Sequence, residues 1–267
     1  MRIVALLAAA LASGCATLGT PPERAEALAR DAGLQRVVLP AGAFRLLAYR
    51  REARGDLLTV YLEGDGAPWP APDRPPADPT PPDPLALRLA AADRAATVAW
   101  IARPCQYATL TSQPDCDSRY WRGARYGEEV VAALDHAISA LARAAGAARV
   151  VLVGHSGGGA AAALVAARRT DVAALVTVGG VLDAARWTAL HRVSPLAASL
   201  DPIDAAARTT GIPQRHFVGT RDAITPPLLA ESFAARAGAP SSAIRVEGRD
   251  HDCCWTDDWP ARLAGLR

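Results

Sequence analysis

Residues 149–168 read R-V-V-L-V-G-H-S-G-G-G-A-A-A-A-L-V-A-A-R, and this stretch constrains the fold more than any other. The apolar, β-branched run 150–153 predicts a short strand buried on both faces. The alanine-dense segment 160–167 predicts a helix. Between them, Gly154-His155-Ser156-Gly157-Gly158 matches G-x-S-x-G in a strand–turn–helix setting. A turn this tight forces the serine into a strained backbone conformation, so its flanks must lack side chains. The hydroxyl then stands clear of the sheet, beside the N–H groups and positive dipole end of the following helix. The alternative is a glycine-rich helix start with no chemistry.

In that setting the stretch resembles the nucleophile turn of the α/β-hydrolases. The resemblance implies a mostly parallel central sheet with helices on both faces and a short cap. A chain of 267 residues, 51% hydrophobic, is long enough to bury one such core. The net charge of +2 gives no reason to expect a nucleic-acid partner. All basic residues are arginine, which with the abundant alanine and 21 prolines reads as codon bias.

Other segments fit the same plan. Segments 35–39 and Phe44–Arg50, around Pro40-Ala41-Gly42, predict an antiparallel pair of strands. Leu57–Leu62 predicts a buried strand followed at once by Glu63-Gly64-Asp65-Gly66. This loop is similar to the H-G-x-G-like loop of α/β-hydrolases, with Glu63 in place of histidine. The resemblance makes the backbone N–H of Asp65 one oxyanion donor and that of Gly157 the other. The Asp65 carboxylate is then expected to point away from the developing negative charge.

Residues 67–84 hold nine prolines and predict a stiff, extended loop, with Trp69 as a possible cleft contact. Leu85–Ala92 and 127–145 predict helices, 97–102 and 173–178 strands, and 104–121 an irregular stretch. The cap is confined to 184–214, where Trp187 and His191 lie, and its shortness implies an open site. Segments 216–218 and 243–246 predict the last strands, with a helix over 228–237 between them.

A serine needs a base within hydrogen-bond reach, oriented by a carboxylate. Ser156, Asp222 and His251 follow predicted strands in the chain order of the α/β-hydrolases. Gly-x-x-Asp-x-Ile-x-Pro around Asp222 resembles the family's acid loop, and His251 has the family's post-strand glycine setting. Asp183 is the other candidate acid, and His191 is placed to touch substrate. Asp250 and Asp252 are badly placed to reach the Nδ1 of their sequence neighbour. The motifs Glu-Gly-Asp-Gly-Ala-Pro-Trp and His251-Asp252-Cys253-Cys254-Trp255 resemble a proteobacterial lipoprotein subset of the family, over residues 35 to the end.

Residues 1–14 predict a signal peptide, with Arg2 before an apolar run too short to span a bilayer. Leu11-Ala12-Ser13-Gly14-Cys15 resembles a lipobox, which implies acylation of Cys15 and a membrane anchor; simple secretory cleavage is the alternative. Ala16 resembles outer-membrane sorting, so the expected address is the cell envelope, facing the periplasm. Residues 15–34 form a tether, with a helix possible in 17–31 lying outside the core, and 35–267 the hydrolase domain. Of five cysteines, removing Cys15 leaves an even set in an oxidising compartment. The strand order of the resembled fold sets the loops of Cys105 and Cys254 some five strands apart. That distance favours local bridges, Cys105–Cys116 and Cys253–Cys254, with free thiols at Cys253 and Cys254 as the alternative. Adjacent cysteines without C-x-x-C spacing argue against a metal site, and no cofactor is implied.

These features together predict a serine hydrolase acting on a small acyl substrate, an ester or thioester. An amidase or peptidase of the same fold, or a non-catalytic envelope lipoprotein, are the alternatives.

Overall fold

The computed structural model describes residues 19–67, 74–113 and 116–266. The expected signal peptide 1–14, Cys15 and Trp69 lie outside the described residues. The chain enters through helix α1 (Pro21–Asp31) and the hairpin β1 (Gln35–Ala41) and β2 (Phe44–Arg50). There follow β3 (Leu57–Leu62), α2 (Leu85–Ala92), β4 (Val98–Ile101), α3 (Ala108–Thr111) and α4 (Glu128–Ala145). The centre of the chain is β5 (Arg149–His155), α5 (Gly157–Ala166) and β6 (Val172–Val178). The remainder is α6 (Ala184–His191), α7 (Pro202–Ala205), β7 (Gln214–Gly219), α8 (Pro227–Ala237), β8 (Ser241–Val246) and α9 (Trp259–Arg262).

Eight strands form one sheet in the order β1-β2-β4-β3-β5-β6-β7-β8. The β1–β2 and β2–β4 pairs are antiparallel, and every pair from β4 to β8 is parallel. Side chains alternate across a strand, so the apolar runs of the central strands divide between two cores. Leu58, Val60, Val150, Leu152 and Leu175 face the layer of α4, α5 and α8. Tyr61, Val151, Val153, Val176 and Val178 face the layer of α1, α2 and α9. The mostly parallel sheet covered by helices on both sides is the expected architecture.

Every residue of α5 is buried, which explains its composition. It packs against the sheet, α4 and α7 at once, and glycine and alanine permit that close approach.

Two expectations fail. Residues 21–31 do not lie outside the core: α1 docks on α2, and Ala25 and Ala29 are buried among Leu85, Leu87 and Leu89. Small residues four apart give one helix face a flat contact that a reading for large apolar side chains overlooks. The stretch 104–121 is not wholly irregular either, since α3 and a 3-10 turn at Ser118–Trp121 lie within it. Among the described residues no helix is long and apolar enough to cross a membrane.

Candidate active site

Ser156 sits between β5 and α5 with φ 54° and ψ −123°, a conformation sterically costly for any residue with a Cβ. Surrounding backbone holds it there. A Cβ on Gly154 would stand 2.2 Å from the Gly158 carbonyl oxygen, and one on Gly158 2.2 Å from that of Leu62. The two flanking glycines are therefore required by close approach, as the motif predicts. The Ser156 N–H donates to the Val178 carbonyl at 3.0 Å, tying the turn to the end of β6.

Asp222 and His251 arrive from the ends of β7 and β8. Asp222 Oδ2 lies 2.9 Å from His251 Nδ1, and the Asp222 side chain is fully buried. The carboxylate also accepts from the N–H groups of Ile224 (2.9 Å) and Thr225 (2.7 Å) and from Thr225 Oγ1 (2.7 Å). Burial pushes the Asp222 carboxyl up, but the bonds from His251 and Thr225 prevail and hold it below its usual value. Gly179, at φ +52°, makes room for this pair: a Cβ there would meet Asp222 Oδ2 at 2.9 Å and His251 Nδ1 at 3.1 Å. Asp183, the other candidate acid, accepts from the Arg186 N–H and caps α6.

His155 meets His251 from the other side. Its Nε2 lies 3.2 Å from the His251 carbonyl oxygen, and the two rings are 4.9 Å apart. Burial, reinforced by the neighbouring His251, pushes His155 down to about 3, so it is a neutral ring with Nε2–H as donor. His216 is buried in β7 against Thr177 and Gln214, away from the cleft.

The loop after β3 brings Asp65 over Gly157 so closely that a Cβ on Gly157 would stand 1.9 Å from Asp65 Oδ1. Among the described residues neither the Asp65 nor the Gly157 backbone N–H has a backbone or side-chain acceptor. The Asp65 carboxylate does not simply point away from the site. It is enclosed by Arg103 Nη1 (3.1 Å), Arg125 Nη1 (3.0 Å) and the Tyr126 hydroxyl (2.7 Å). Burial pushes its pKa up, the two guanidinium groups and Tyr126 pull it down, and the net position is below the usual carboxylate range. Two positive charges around one negative leave no net negative field beside Gly157.

Glu63, standing where the resembled loop has histidine, turns inward. It accepts from Gly64 N (2.9 Å), Trp100 Nε1 (2.9 Å), Leu87 N (3.3 Å) and Ala86 N (3.4 Å), capping the start of α2 from outside the helix. Gln106 Nε2 donates to the Gly64 carbonyl at 3.0 Å and braces the same loop.

Ser156, His251, Asp65 and His155 line a cleft of about 1380 Å³. The expected cap supplies one wall, where Trp187 Nε1 and His191 Nε2 both meet the Ile224 carbonyl, at 2.9 and 2.8 Å. Residues 117–125 supply a second wall that lies outside the expected cap segment.

The fold that carries this arrangement is matched among solved structures. A bacterial membrane phospholipase A, described as a virulence factor, has a TM-score of 0.62 at 16% identity, over 92% of this chain and 91% of its own. This chain has the α/β-hydrolase fold. An esterase of Pyrococcus furiosus gives 0.62 at 10% identity over 89% and 91% of the two chains. A dienelactone hydrolase of Klebsiella pneumoniae, described as putative, gives 0.57 at 21% over 87% and 97%. No protein-family model matches the sequence, and no curated protein matches it.

One feature of this site was open to reading in the sequence and was missed: Asp222-Ala223-Ile224-Thr225 has the spacing at which an aspartate turns back onto its own loop. The partners of Asp65 had no such signal, since they lie 38 to 61 residues away. The cysteines pair locally, Cys105–Cys116 with Cα atoms 5.7 Å apart and Cys253–Cys254 at 3.4 Å. His155, His251 and Asp252 each bring a possible ligand atom within 4.8 Å of the others. One nitrogen of each ring is already engaged, by the His251 carbonyl and by Asp222. The bridged cysteines add no thiolate to this set.

Proposed function

We propose that the protein is a serine hydrolase that cleaves a carboxylic ester or thioester through an acyl-enzyme intermediate. The observation that carries this reading is the Asp222–His251 bond of 2.9 Å in the cleft that also holds Ser156 on its strained turn. Ser156 Oγ attacks the acyl carbon and passes its proton to His251 Nε2. The carbonyl oxygen, now negative, is received by the free N–H groups of Gly157 and Asp65. The tetrahedral adduct expels the alcohol or thiol, which takes the proton from His251. Water then attacks the acyl-enzyme with His251 again as base, releasing the acid and Ser156. Asp222 holds the imidazole in the tautomer with its proton on Nδ1 and stabilises the cation. One protein of similar fold, at a TM-score of 0.62, is described as a membrane phospholipase A, which is consistent with this class.

The purified protein is expected to hydrolyse p-nitrophenyl esters, with Ser156→Ala slower by about 10³-fold or more. Equal turnover by Ser156→Ala removes the mechanism, and preferential cleavage of the matching anilides moves the protein to the amidases.

We also propose, from the lipobox-like segment, that Cys15 is acylated and holds the domain at the envelope membrane, facing the periplasm. An alkyne fatty acid is expected to label the wild type in cells and not Cys15→Ser; equal labelling of both contradicts the anchor.

A further inference from the structure

The cleft's rim has a composition unlike the rest of the described surface. Among the described residues the exposed large hydrophobic side chains are Leu190 (46% exposed), Val193 (36%) and Ile224 (46%). All three belong to one place. Val193 and Ile224 line the cleft, and Leu190 precedes His191, whose Nε2 meets the Ile224 carbonyl at 2.8 Å. Exposed Arg186 and Arg192 lie on either side of Leu190 in the chain, and neither has a carboxylate within 4.0 Å among the described residues. Of the acids lining the cleft, Asp83 pairs with Arg88, Asp117 and Glu129 share Arg119, and Glu128 pairs with Arg168, while Asp252, on the His251 side, is exposed with only the neutral His155 within 4.0 Å. An apolar cluster flanked by unpaired arginines is suited to the boundary between acyl chains and anionic headgroups.

The start of the described chain is tied to a residue that lines the same cleft. Arg24 Nη1 donates to the Gly19 carbonyl at 2.7 Å, while its Nε and Nη2 donate to the Pro82 carbonyl at 3.1 and 2.7 Å. Pro82 is exposed and lines the cleft. Cys15 is four residues before Gly19, so it can be no more than roughly 14 Å from it. The residues following Gly19 are held in α1 against the core and add no reach.

We infer that the rim formed by Leu190, Val193 and Ile224 docks on an anionic lipid bilayer, so that the cleft opens onto the membrane and its substrate is a lipid ester resident there. The substrate class rests on the serine-hydrolase reading; the docking surface does not. The anchor restricts the domain to a short radius, and the rim sets which face meets the lipid.

The test separates docking from anchoring and from turnover. The mature chain carrying Cys15→Ser, which has no acyl group, is mixed with vesicles of phosphatidylglycerol and phosphatidylethanolamine and sedimented. It is expected to partition onto them, and Leu190→Asp to lower the partition by roughly tenfold or more, as expected for one leucine withdrawn from an apolar phase. Arg186→Glu with Arg192→Glu is expected to reduce binding on these vesicles and not on pure phosphatidylcholine. Leu190→Asp is expected to hydrolyse a dissolved short p-nitrophenyl ester within twofold of its parent, which also reports that it is folded. Equal partition of Leu190→Asp and its parent overturns the docking surface. So does a dimer that Leu190→Asp dissociates in the absence of vesicle binding. Failure of every chain to hydrolyse the dissolved ester, with vesicle binding intact, instead removes the hydrolase reading and the lipid substrate with it.

Discussion

Asp222 and Asp183 show how two carboxylates with similar places in the sequence acquire different work. Asp222 is buried and receives four donors, one of them His251 Nδ1. Asp183 accepts from Arg186 N at the start of α6, a local task of the kind worth about 1 kcal/mol to a helix. Asp222→Asn is therefore expected to lower kcat by about 10³-fold or more, because an amide presents a donor or a weaker acceptor to Nδ1 and lets the ring take the wrong tautomer. Asp183→Asn is expected to stay within a few-fold of wild type, asparagine being a good N-cap. Steady-state kinetics on one ester decides between them, and the reverse order would transfer the role to Asp183. The sequence carried the triad candidates openly, since each follows a strand. It did not carry Gly179 as the space behind His251, nor His155 as a donor to the His251 backbone, because neither contact has a spacing of its own.

At the scale of elements, the apolar runs of β3, β5 and β6 were legible because a strand buried on both faces is almost wholly apolar, Thr59 and Thr177 being the buried exceptions in β3 and β6. Helix α4 was legible through its amphipathic face and the glycine that ends it. Residues 117–125 were not legible as a cleft wall. They have neither helical nor strand periodicity, and their position depends on Arg103 and Arg125 converging on Asp65. Buried ionisable groups in the elements also set the pH response. Burial lowers His155 and His216 from 6.5 to about 3. The unfolded chain protonates both rings across that interval and the folded chain does not, so stability is lost as pH falls from about 6.5. Burial raises Glu63 from 4.5 to about 7, against the N–H donors of Gly64, Trp100, Ala86 and Leu87. The stability that Glu63 contributes is present at low pH and is lost as pH rises through that interval, opposing the histidines. Melting temperature is expected to fall between pH 6.5 and pH 4.5, and more steeply in Glu63→Gln. A melting temperature that rises over the same interval contradicts the neutral histidines.

The whole molecule is a twisted sheet whose parallel strands deliver Ser156, Asp222 and His251 to one edge, the place where open α/β sheets form their ligand clefts. The helices α1, α2 and α9 on one side and α4, α5 and α8 on the other fix the strand ends, and the strained serine turn is held by that surrounding backbone. The central claim is that Ser156 is a nucleophile activated by His251. A fluorophosphonate probe followed by peptide mapping tests it most directly, because only an activated serine is phosphonylated rapidly. The expected result is one adduct, on Ser156, formed at least about a hundredfold more slowly in His251→Ala. An adduct on another residue, or equal labelling of Ser156 in wild type and His251→Ala, would contradict it.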